Sequence, residues 1–508
     1  MRHLYLLPLA LLLPAAALAS HDMGGQISYT SLGGNQYRVR IEHYLDATAS
    51  ASQSPQALMM TLVCKKNGCT NGGPGSFTAD VQGTITNLAG PVCAGAPVLM
   101  LTAETTVTLP PARWTLSVDA ENRAWVSGNL TSPDIRSLHL EATLFNLVAA
   151  DNTSPRFADV ALPYVVLGQE HRSSFAAFDA DGDSLAYSLA PATYTTINST
   201  PPASYPCPTN MPYRTFPAGT ASDGATGQSG SYAAGQFSGS FPFPSYRVAS
   251  GVATPWLNLN TSSGEFRALP TALGTYAVAV RVDEYRRLNG IPVLIGSVLR
   301  EVPYTIVASA NRNPSLSMSR GGTTLPLGQP LAVAPGQNVT LTFTGSDPDA
   351  GQALRLSSDV ATLLPGATFQ PNLVSPTAQF SWQVPATAPN GTYAFAVRVT
   401  DNACPLNGTE VRTVMLRVDN RLTAASTPAR LAMPLPAFPV PFTDHVTFRL
   451  PAAQEQAVLI TDGLGRAVAR LRSRPDGSVT WQPGPVAAGV YFARTADGQQ
   501  VARLVKAD

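Results

Sequence analysis

A strand-like segment that occurs twice constrains the fold of this chain more than any other feature. GTYAVAVRVDE at residues 274–284 recurs as GTYAFAVRVTD at residues 391–401. Side chains of a β-strand alternate between two faces, so each copy carries one apolar face suited to the core of a sandwich. In the first copy that face consists of Tyr276, Val278, Val280 and Val282. An Asp-rich turn precedes each copy, at residues 178–189 and 345–356, and this shared order predicts two related β-domains.

Composition extends the β prediction to the whole chain. The sequence has 44 Pro and 40 Gly among Val, Thr, Ser and Tyr, which indicates many short strands joined by turns. Only 13% of the residues are charged and the formal net charge is +1, so no basic patch indicates nucleic acid and no polybasic segment indicates a membrane surface. We therefore predict an all-β chain of tandem immunoglobulin-like β-sandwich domains.

The landmarks and linkers also predict the domain borders. The turn and the repeated strand lie farther apart in the first copy, and the excess falls in a Pro-, Gly-, Ser- and Tyr-rich insertion at about residues 191–250. The predicted order is a signal peptide at 1–19, an N-terminal β-domain at 20–150, a sandwich containing the insertion at 151–310, an immunoglobulin-like sandwich at 311–420, a linker at 421–433 and a C-terminal sandwich at 434–508.

The N-terminus has the pattern of a secretory signal. Arg2 and His3 precede an apolar run at residues 4–18, which ends in Ala17-Leu18-Ala19 and predicts cleavage after Ala19. No later stretch approaches the roughly 20 apolar residues that a membrane-spanning helix needs. We therefore expect Sec-dependent export; together with the C-terminal domain described below, this signal implies the cell surface or the medium as the destination.

The Asp-rich turn is the best candidate for a metal site. Asp179, Asp181 and Asp183 alternate around Gly182, so their carboxylates can converge as the oxygen ligands of calcium do. The alternative is a solvated turn in which the aspartates only cap backbone N–H groups. The second turn offers a weaker calcium candidate, because its set lacks the third turn acid; that set is Asp347, Asp349 and Asp401.

The five cysteines fit an exported chain but leave one thiol over. We predict a Cys64–Cys69 disulfide, because the four-residue spacer contains Asn-Gly and can bring the two Cα atoms within about 7 Å. The pairing of Cys93, Cys207 and Cys404 stays open. A zinc site is the alternative, but no histidine lies at a ligand-like spacing from these cysteines.

The last seventy or so residues, about one seventh of the chain, resemble the C-terminal sorting domain of type IX secretion cargo from Bacteroidetes. A proline-flanked entry, a D-x-x-G-R turn, an isolated Trp481, a G-V-Y-F strand and a terminal lysine carry the resemblance. The matching residues are Pro439, Pro441, Phe442, Asp462, Gly465, Arg466, Gly489, Tyr491 and Lys506. Val440 replaces the Asn that the family often has. The resemblance implies surface delivery by the type IX machinery; the alternative is an ordinary immunoglobulin-like end domain.

Residues 20–310 resemble surface proteins associated with gliding motility in the same phylum. The matching features are His21, a Gly-Gly pair followed by Tyr29, the Asp-rich turn at residues 179–185, called the acidic turn below, and VRVDEYR at residues 280–286. The family's Tyr-Arg-Asp-Cys hairpin end is Tyr-Leu-Asp-Ala here, so its cysteine pairing does not carry over. The acidic turn is also similar to that of cadherin-like and PKD-like repeats, where it serves calcium between domains. This likeness implies a further acidic ligand from the last strand, namely Asp283 or Glu284.

No catalytic motif accompanies these features. The six histidines are scattered, and no metalloprotease or nucleophile-elbow string occurs. We expect a non-catalytic protein for adhesion or extracellular scaffolding, whose partners are surface glycans or other cell-surface proteins. A glycan-binding accessory protein is the alternative, and a secreted hydrolase ranks third. A glycan-binding protein would expose aromatic side chains in the insertion or on one sandwich face, and the candidates are Tyr205, Tyr213, Phe241, Phe243 and Tyr246.

Overall fold

The computed structural model describes residues 22–46, 59–68, 75–88, 98–120, 123, 128–158, 163–195, 207–420, 433–450, 455–463, 465–495 and 500–507. Regular structure in these residues is almost entirely β-strand, which confirms the predicted all-β class of tandem sandwich domains. None of the helices in this described part is long and apolar enough to cross a membrane. The predicted signal peptide lies outside the described residues, and so does the predicted linker apart from Met433, which begins a short strand.

Residues 22–307 form the body of the chain. Its strands are β1 (Asp22–Gly33), β2 (Gln36–Asp46), β3 (Met59–Lys66), β4 (Phe77–Leu88), β5 (Val98–Thr108), β6 (Arg113–Ala120), β7 (Leu138–Phe145), β8 (Arg156–Phe157), β9 (Tyr164–Val166), β10 (His171–Ser174), β11 (Ala177–Phe178), β12 (Ser184–Ala190), β13 (Thr193–Tyr194), β14 (Thr209–Asn210), β15 (Thr215–Phe216), β16 (Gly219–Asp223), β17 (Gln228–Tyr232), β18 (Gly235–Gln236), β19 (Tyr246–Ala249), β20 (Val252–Pro255), β21 (Leu257–Leu259), β22 (Glu265–Ala268), β23 (Gly274–Leu288) and β24 (Ile291–Val307). A short 3-10 helix spans Pro133–Ile135.

One large sheet unites this body. Its strand order is β1-β2-β5-β4-β3-β6-β7-β24-β23-β12, and β9 pairs with the end of β24. β24 pairs with both β7 and β1, through Gly296 opposite Leu144 and Glu301 opposite Gly25, so the sheet closes on itself. The side chains inside form one core that runs from Ile27 to Ile306.

The domain border predicted at residue 150 is therefore wrong as a division between two cores. The repeated strand β23 and its partner β24 belong to the same sheet as the first hairpin, which β1 and β2 form. The physical reason is that both hairpins carry an apolar face, and each buries that face against the other. Local periodicity identifies such strands, but it does not say which distant strand pairs with them.

The second sandwich follows as a separate core. Its elements are β25 (Ser315–Arg320), β26 (Thr323–Leu325), β27 (Pro330–Val333), β28 (Asn338–Ser346), β29 (Arg355–Ser357), α1 (Val360–Leu363), β30 (Ala367–Pro371), β31 (Thr377–Gln383), β32 (Gly391–Thr400) and β33 (Thr409–Val418). Sheet β26-β25-β28-β31-β30 faces sheet β27-β33-β32-β29. Between them the rings of Phe380 and Phe395 stack with centroids 5.0 Å apart.

A buried polar contact joins the body to the second sandwich. Arg412 on β33 donates through Nε to Glu265 Oε1 of the body at 2.8 Å and through Nη1 to Glu410 Oε1 at 3.2 Å. The hydroxyl oxygens of Ser174 and Thr413 lie 2.7 Å apart beside this ion pair. The described residues from Asp22 to Asn420 accordingly belong to one compact unit.

The C-terminal residues form a second compact unit, Thr423–Asp508. Its strands are β34 (Met433–Pro434), β35 (Ala437–Phe438), β36 (Val446–Arg449), β37 (Ala457–Asp462), β38 (Ala467–Arg472), β39 (Ser478–Trp481), β40 (Gly489–Thr495) and β41 (Gln500–Lys506). A five-stranded sheet, β34-β41-β40-β37-β38, and a three-stranded sheet, β35-β36-β39, enclose its core.

Candidate functional site

The acidic turn lies between β11 and β12 and is organised by one carboxylate. Asp179 Oδ1 accepts hydrogen bonds from the backbone N–H groups of Asp181 at 3.0 Å and Asp183 at 2.9 Å. Gly182 has a φ of 77°, a left-handed conformation that glycine adopts without a Cβ clash. The local sequence thus folds this turn because an aspartate caps it and a glycine reverses it.

Three carboxyl groups converge at the turn. Asp179, Asp183 and Glu284 are all buried, and each offers an oxygen within 4.8 Å of the other two. Glu284 reaches the turn from β23, whereas its neighbour Asp283 points to the opposite face and pairs with Arg281 at 2.6 Å. Of the two acidic residues predicted on this strand, the structure therefore brings Glu284 to the site and leaves Asp283 outside it.

Arg286 completes the site and was not predicted as part of it. Its Nε and Nη2 donate to the two carboxylate oxygens of Asp183 at 3.0 and 2.6 Å, and Nη2 also lies 3.2 Å from Asp181 Oδ2. The same Nη2 donates to Asn152 Oδ1 at 2.8 Å. A guanidinium thus neutralises the Asp181–Asp183 side of the turn, and the hydrogen bonds to Asp183 raise the pKa of Arg286 further.

The Asp179–Glu284 side has no such cation. Asp179 Oδ2 and Glu284 Oε1 are buried, and apart from a hydrogen bond between the two carboxyl groups when one is protonated, no donor among the described residues reaches either oxygen. Glu284 Oε2 accepts a hydrogen bond from Asn152 Nδ2 at 2.8 Å. Burial raises the pKa of Asp179, and burial together with the charge of Asp179 raises the pKa of Glu284. This arrangement accommodates either a proton shared by the two carboxyl groups or a cation bound by them.

The oxygen set fits calcium in type. Carboxylate oxygens are the ligands that hard divalent cations prefer, and two of the three converging groups have an oxygen free of any donor in the described structure. Asp183 contributes less to such a site, because Arg286 already donates to both of its oxygens. The group that fits a cation best is therefore Asp179 with Glu284.

The acidic turn packs directly against the second sandwich. A Cβ added to Gly391, the first residue of β32, would lie only 2.4 Å from the carbonyl oxygen of Gly182. The ring of Phe178, just before the turn, lies 6.1 Å from the ring of Tyr393 on the same strand. A change in the charge of the turn therefore acts at the contact between the body and the second sandwich.

The second acidic turn is arranged differently. Arg312 Nε donates to Asp349 Oδ1 at 2.8 Å, while Asp401 Oδ1 caps the N–H groups of Ala403 and Gly408, each at 2.9 Å. Asp347 Oδ2 is buried and has no donor among the described residues. In the described part of the chain, Asp179, Asp183 and Glu284 form the single group of three metal-ligating side chains with converging atoms, and the second turn does not form another.

The predicted Cys64–Cys69 disulfide is wrong for Cys64. Its thiol is free and buried in the body, on the face of β3 that also carries Met60 and Leu62. Burial raises the pKa of the Cys64 thiol to about 12. Strand alternation explains the error, because it turns this side chain into the core and away from the following loop. Cys207 and Cys404 are disulfide-bonded, and Cys69 and Cys93 lie outside the described residues.

Of the aromatic residues expected to mark a glycan surface, the four that the structure describes are buried or half-buried. Phe243 is fully buried, and Tyr246 is buried and stacks on Tyr232 with ring centroids 4.4 Å apart. Phe241 packs against Tyr246, and the Tyr213 hydroxyl accepts the Ala192 N–H at 3.0 Å. The described part of the insertion is thus held by its own aromatic core; Tyr205 lies outside it.

The residues predicted as a sorting signal lie in the core and turns of the C-terminal unit. The rings of Phe442 and Tyr491 pack against Trp481, with centroids 5.6 and 5.2 Å from it. Arg466 donates through Nε to Asp462 Oδ2 at 2.7 Å across the turn that contains Gly465. Pro439 and Pro441 follow cis peptide bonds, Gly489 begins β40, and Lys506 ends β41.

Comparison with known proteins gives no family for the chain. No family model matches it, and no curated protein matches it. Solved structures that resemble it include Drosophila N-cadherin EC1-4, at a TM-score of 0.22 and 12% identity over 52% of this chain and 66% of that chain. A chimeric titin Z1Z2 gives a TM-score of 0.16 and 16% identity over 39% and 100% of the two chains. Human CDH23 EC21-23 gives 0.16 and 15% over 52% and 89%. Overlays this loose carry no argument about function.

Proposed function

We propose that the protein is a non-catalytic component of the cell surface that serves adhesion or extracellular scaffolding. The observation that carries the proposal is the buried contact of Arg412 with Glu265 and Glu410, which fastens one sandwich to the next. A buried charge pair across the junction of two modules fixes their relative orientation, since a shifted interface leaves a charged group buried without its partner. Such a stiff array of sandwiches suits a protein that bears load outside the cell.

An attachment assay tests this function. Cells that lack the protein should adhere less to surfaces or to one another than cells in which the full chain is restored. A restored chain carrying Arg412→Met should show weaker attachment under shear flow, while Arg417→Gln, an exposed change on the same strand, should behave as the unchanged protein. Equal attachment with and without the protein would refute the adhesive function.

We propose type IX secretion as the delivery route. Support comes from the compact unit Thr423–Asp508, whose core and turns contain the residues of the sorting-domain resemblance. A chain that ends near residue 427 should cross the inner membrane and accumulate in the periplasm. The C-terminal unit fused to a carrier protein should move that carrier to the surface. Normal surface amounts of the truncated chain would exclude this route.

We also propose that Asp179 and Glu284 bind calcium in the exported protein. The two buried oxygens without a donor among the described residues support a bound cation there. Calcium that binds only the folded chain stabilises it by about 2.7 kcal/mol at a hundredfold excess over Kd. Calcium should therefore raise the melting temperature of the full chain, and Glu284→Gln should abolish the gain. Asp283→Asn is the matched control, because Asp283 lies on the opposite face of the same strand. If calcium does not change the melting temperature of the unchanged protein, the two carboxyl groups share a proton and do not bind a cation.

A further inference from the structure

A cleft on the body has a charge character that the adhesive function does not explain. The cleft has a volume of about 290 Å³ and lies where β1 and β2, the segment before β8, the acidic turn and α1 of the second sandwich meet. Its charged lining consists of Arg38, Arg40, Arg156 and Glu104. Three guanidinium groups against one carboxylate, among the described lining residues, give the cleft a positive excess in a chain that is nearly neutral overall.

The three arginines differ in what holds them. Arg40 is fixed by two carboxylates, because its Nε lies 2.8 Å from Glu42 Oε1 and its Nη1 lies 2.7 Å from Glu104 Oε1. Arg38 and Arg156 are exposed, and within the described part of the chain neither has a hydrogen-bond or ion-pair partner. Two arginines on different segments thus line one concave surface and have no anion of the described structure to bind.

The remaining lining matches a hydroxylated ligand. Side chains of Ser28, Thr30 and Thr153 offer hydroxyl groups beside the arginines, and Phe178 offers a half-buried ring. Guanidinium groups recognise carboxylates and sulfates through paired N–H donors, while serine and threonine hydroxyls exchange hydrogen bonds with sugar hydroxyls. An acidic sugar unit combines both chemistries, whereas inorganic sulfate uses only the first.

We propose that this cleft binds an acidic saccharide through Arg38 and Arg156. The anionic group is a uronate carboxylate or a sugar sulfate, and it lies between the two guanidinium groups while the sugar ring contacts the hydroxyl-lined wall. The inference deepens the adhesive function by naming the class of ligand. It stands on the cleft alone, because binding is measured on purified protein in solution and cell attachment is a separate measurement.

Calorimetry on the full mature chain tests the assignment. The probes are an oligogalacturonate, which carries carboxylates, a heparin-derived oligosaccharide, which carries sulfates, a neutral cello-oligosaccharide and inorganic sulfate. We expect at least one acidic saccharide to bind, to bind more weakly as salt is raised, and to lose about tenfold or more in affinity with Arg38→Gln/Arg156→Gln. Arg417→Gln removes an exposed arginine elsewhere and should change the affinity less than about twofold.

Each other outcome overturns the proposal. Binding that survives the double substitution places the ligand elsewhere. Equal binding of the neutral oligosaccharide removes the role of the anion, and equal binding of inorganic sulfate removes the role of the sugar. Both substituted arginines are exposed, so an unchanged melting temperature of the double variant will show that a loss of binding is not a loss of folding.

Discussion

The buried surroundings of Glu284 favour the protonated form of its carboxyl group. Burial and the adjacent Asp179 raise its folded-state pKa above the unfolded value of about 4.3. The folded chain therefore binds this proton more tightly than the unfolded chain, and stability falls as the pH rises above about 4.3 through the folded pKa. In calcium-free buffer at pH 8, Glu284→Gln should raise the free energy of unfolding, on the order of 1–2 kcal/mol.

Chemical denaturation between pH 4 and pH 9 measures this effect. The unchanged protein should lose stability over that range relative to Glu284→Gln, and the two curves should converge at the acid end. A Glu284→Gln variant that is less stable at pH 8 without calcium would mean that a favourable partner stabilises the ionised carboxylate. That result would contradict the prediction, which rests on the buried Oε1 atom having no such partner.

His139 shows the opposite sign of pH dependence. Burial lowers the pKa of its imidazole, but hydrogen bonds to Asp119 at 2.8 Å and Glu141 at 3.4 Å outweigh burial and raise it. Its stabilising contribution is thus fully present below the unfolded pKa of about 6.5 and is lost as the pH rises through the folded pKa. An NMR titration should give a midpoint above 6.5 for His139. Asp119→Asn should lower that midpoint and exposed Asp134→Asn should not; a midpoint unchanged by Asp119→Asn contradicts the prediction.

At the scale of elements, the contact between the acidic turn and β32 depends on a missing side chain. A Cβ at Gly391 would lie 2.4 Å from the Gly182 carbonyl oxygen, a backbone atom that cannot rotate away. Gly391→Ala should therefore destabilise the first unit by about 1–3 kcal/mol, as overpacking does. Gly484→Ala is the control, because a Cβ there meets nothing within 4 Å. Thermal denaturation measures both variants, and equal melting temperatures would show that the turn moves freely.

Across the whole molecule, Arg412 decides whether the body and the second sandwich unfold together. Its removal takes the ion-pair partner from the buried carboxylate of Glu410 and leaves Glu265 with only Arg267, 3.7 Å away, which costs about 3 kcal/mol. Calorimetry of the unchanged protein should show one transition for residues 22–420 beside that of the C-terminal unit. Arg412→Met should split this transition in two, whereas Arg417→Gln should leave it single. An unsplit transition in Arg412→Met would show that the other contacts across the junction, such as that of Ser174 with Thr413, are enough to couple the modules.

Much of the fold was predictable because it is written in local patterns. Two-residue alternation identified β23 and β32, and the Asp-Gly pattern located the acidic turn. The same alternation could have found Arg286, since it lies two residues beyond Glu284 on the same face of the strand. It also could have placed Cys64 in the core beside Leu62. These two features were missed although their signal was present.

The remaining features depend on contacts between distant residues. The choice between Asp283 and Glu284 follows from which face of β23 meets the turn, and the burial of Phe243 and Tyr246 follows from how the insertion folds back on the body. The cleft arginines Arg38 and Arg156 come from β2 and β8, which belong to different sheets and meet only through tertiary packing. The spacing of residues in the sequence does not predict these tertiary contacts between distant segments.

The pairing of β1 with β24 also sets the order of events as the chain emerges. Gly25 on β1 can pair with Glu301 on β24 only after almost the whole body has been synthesised. Closure must then be a late step, because contacts between such distant residues form slowly and the first hairpin lacks its edge partner until then.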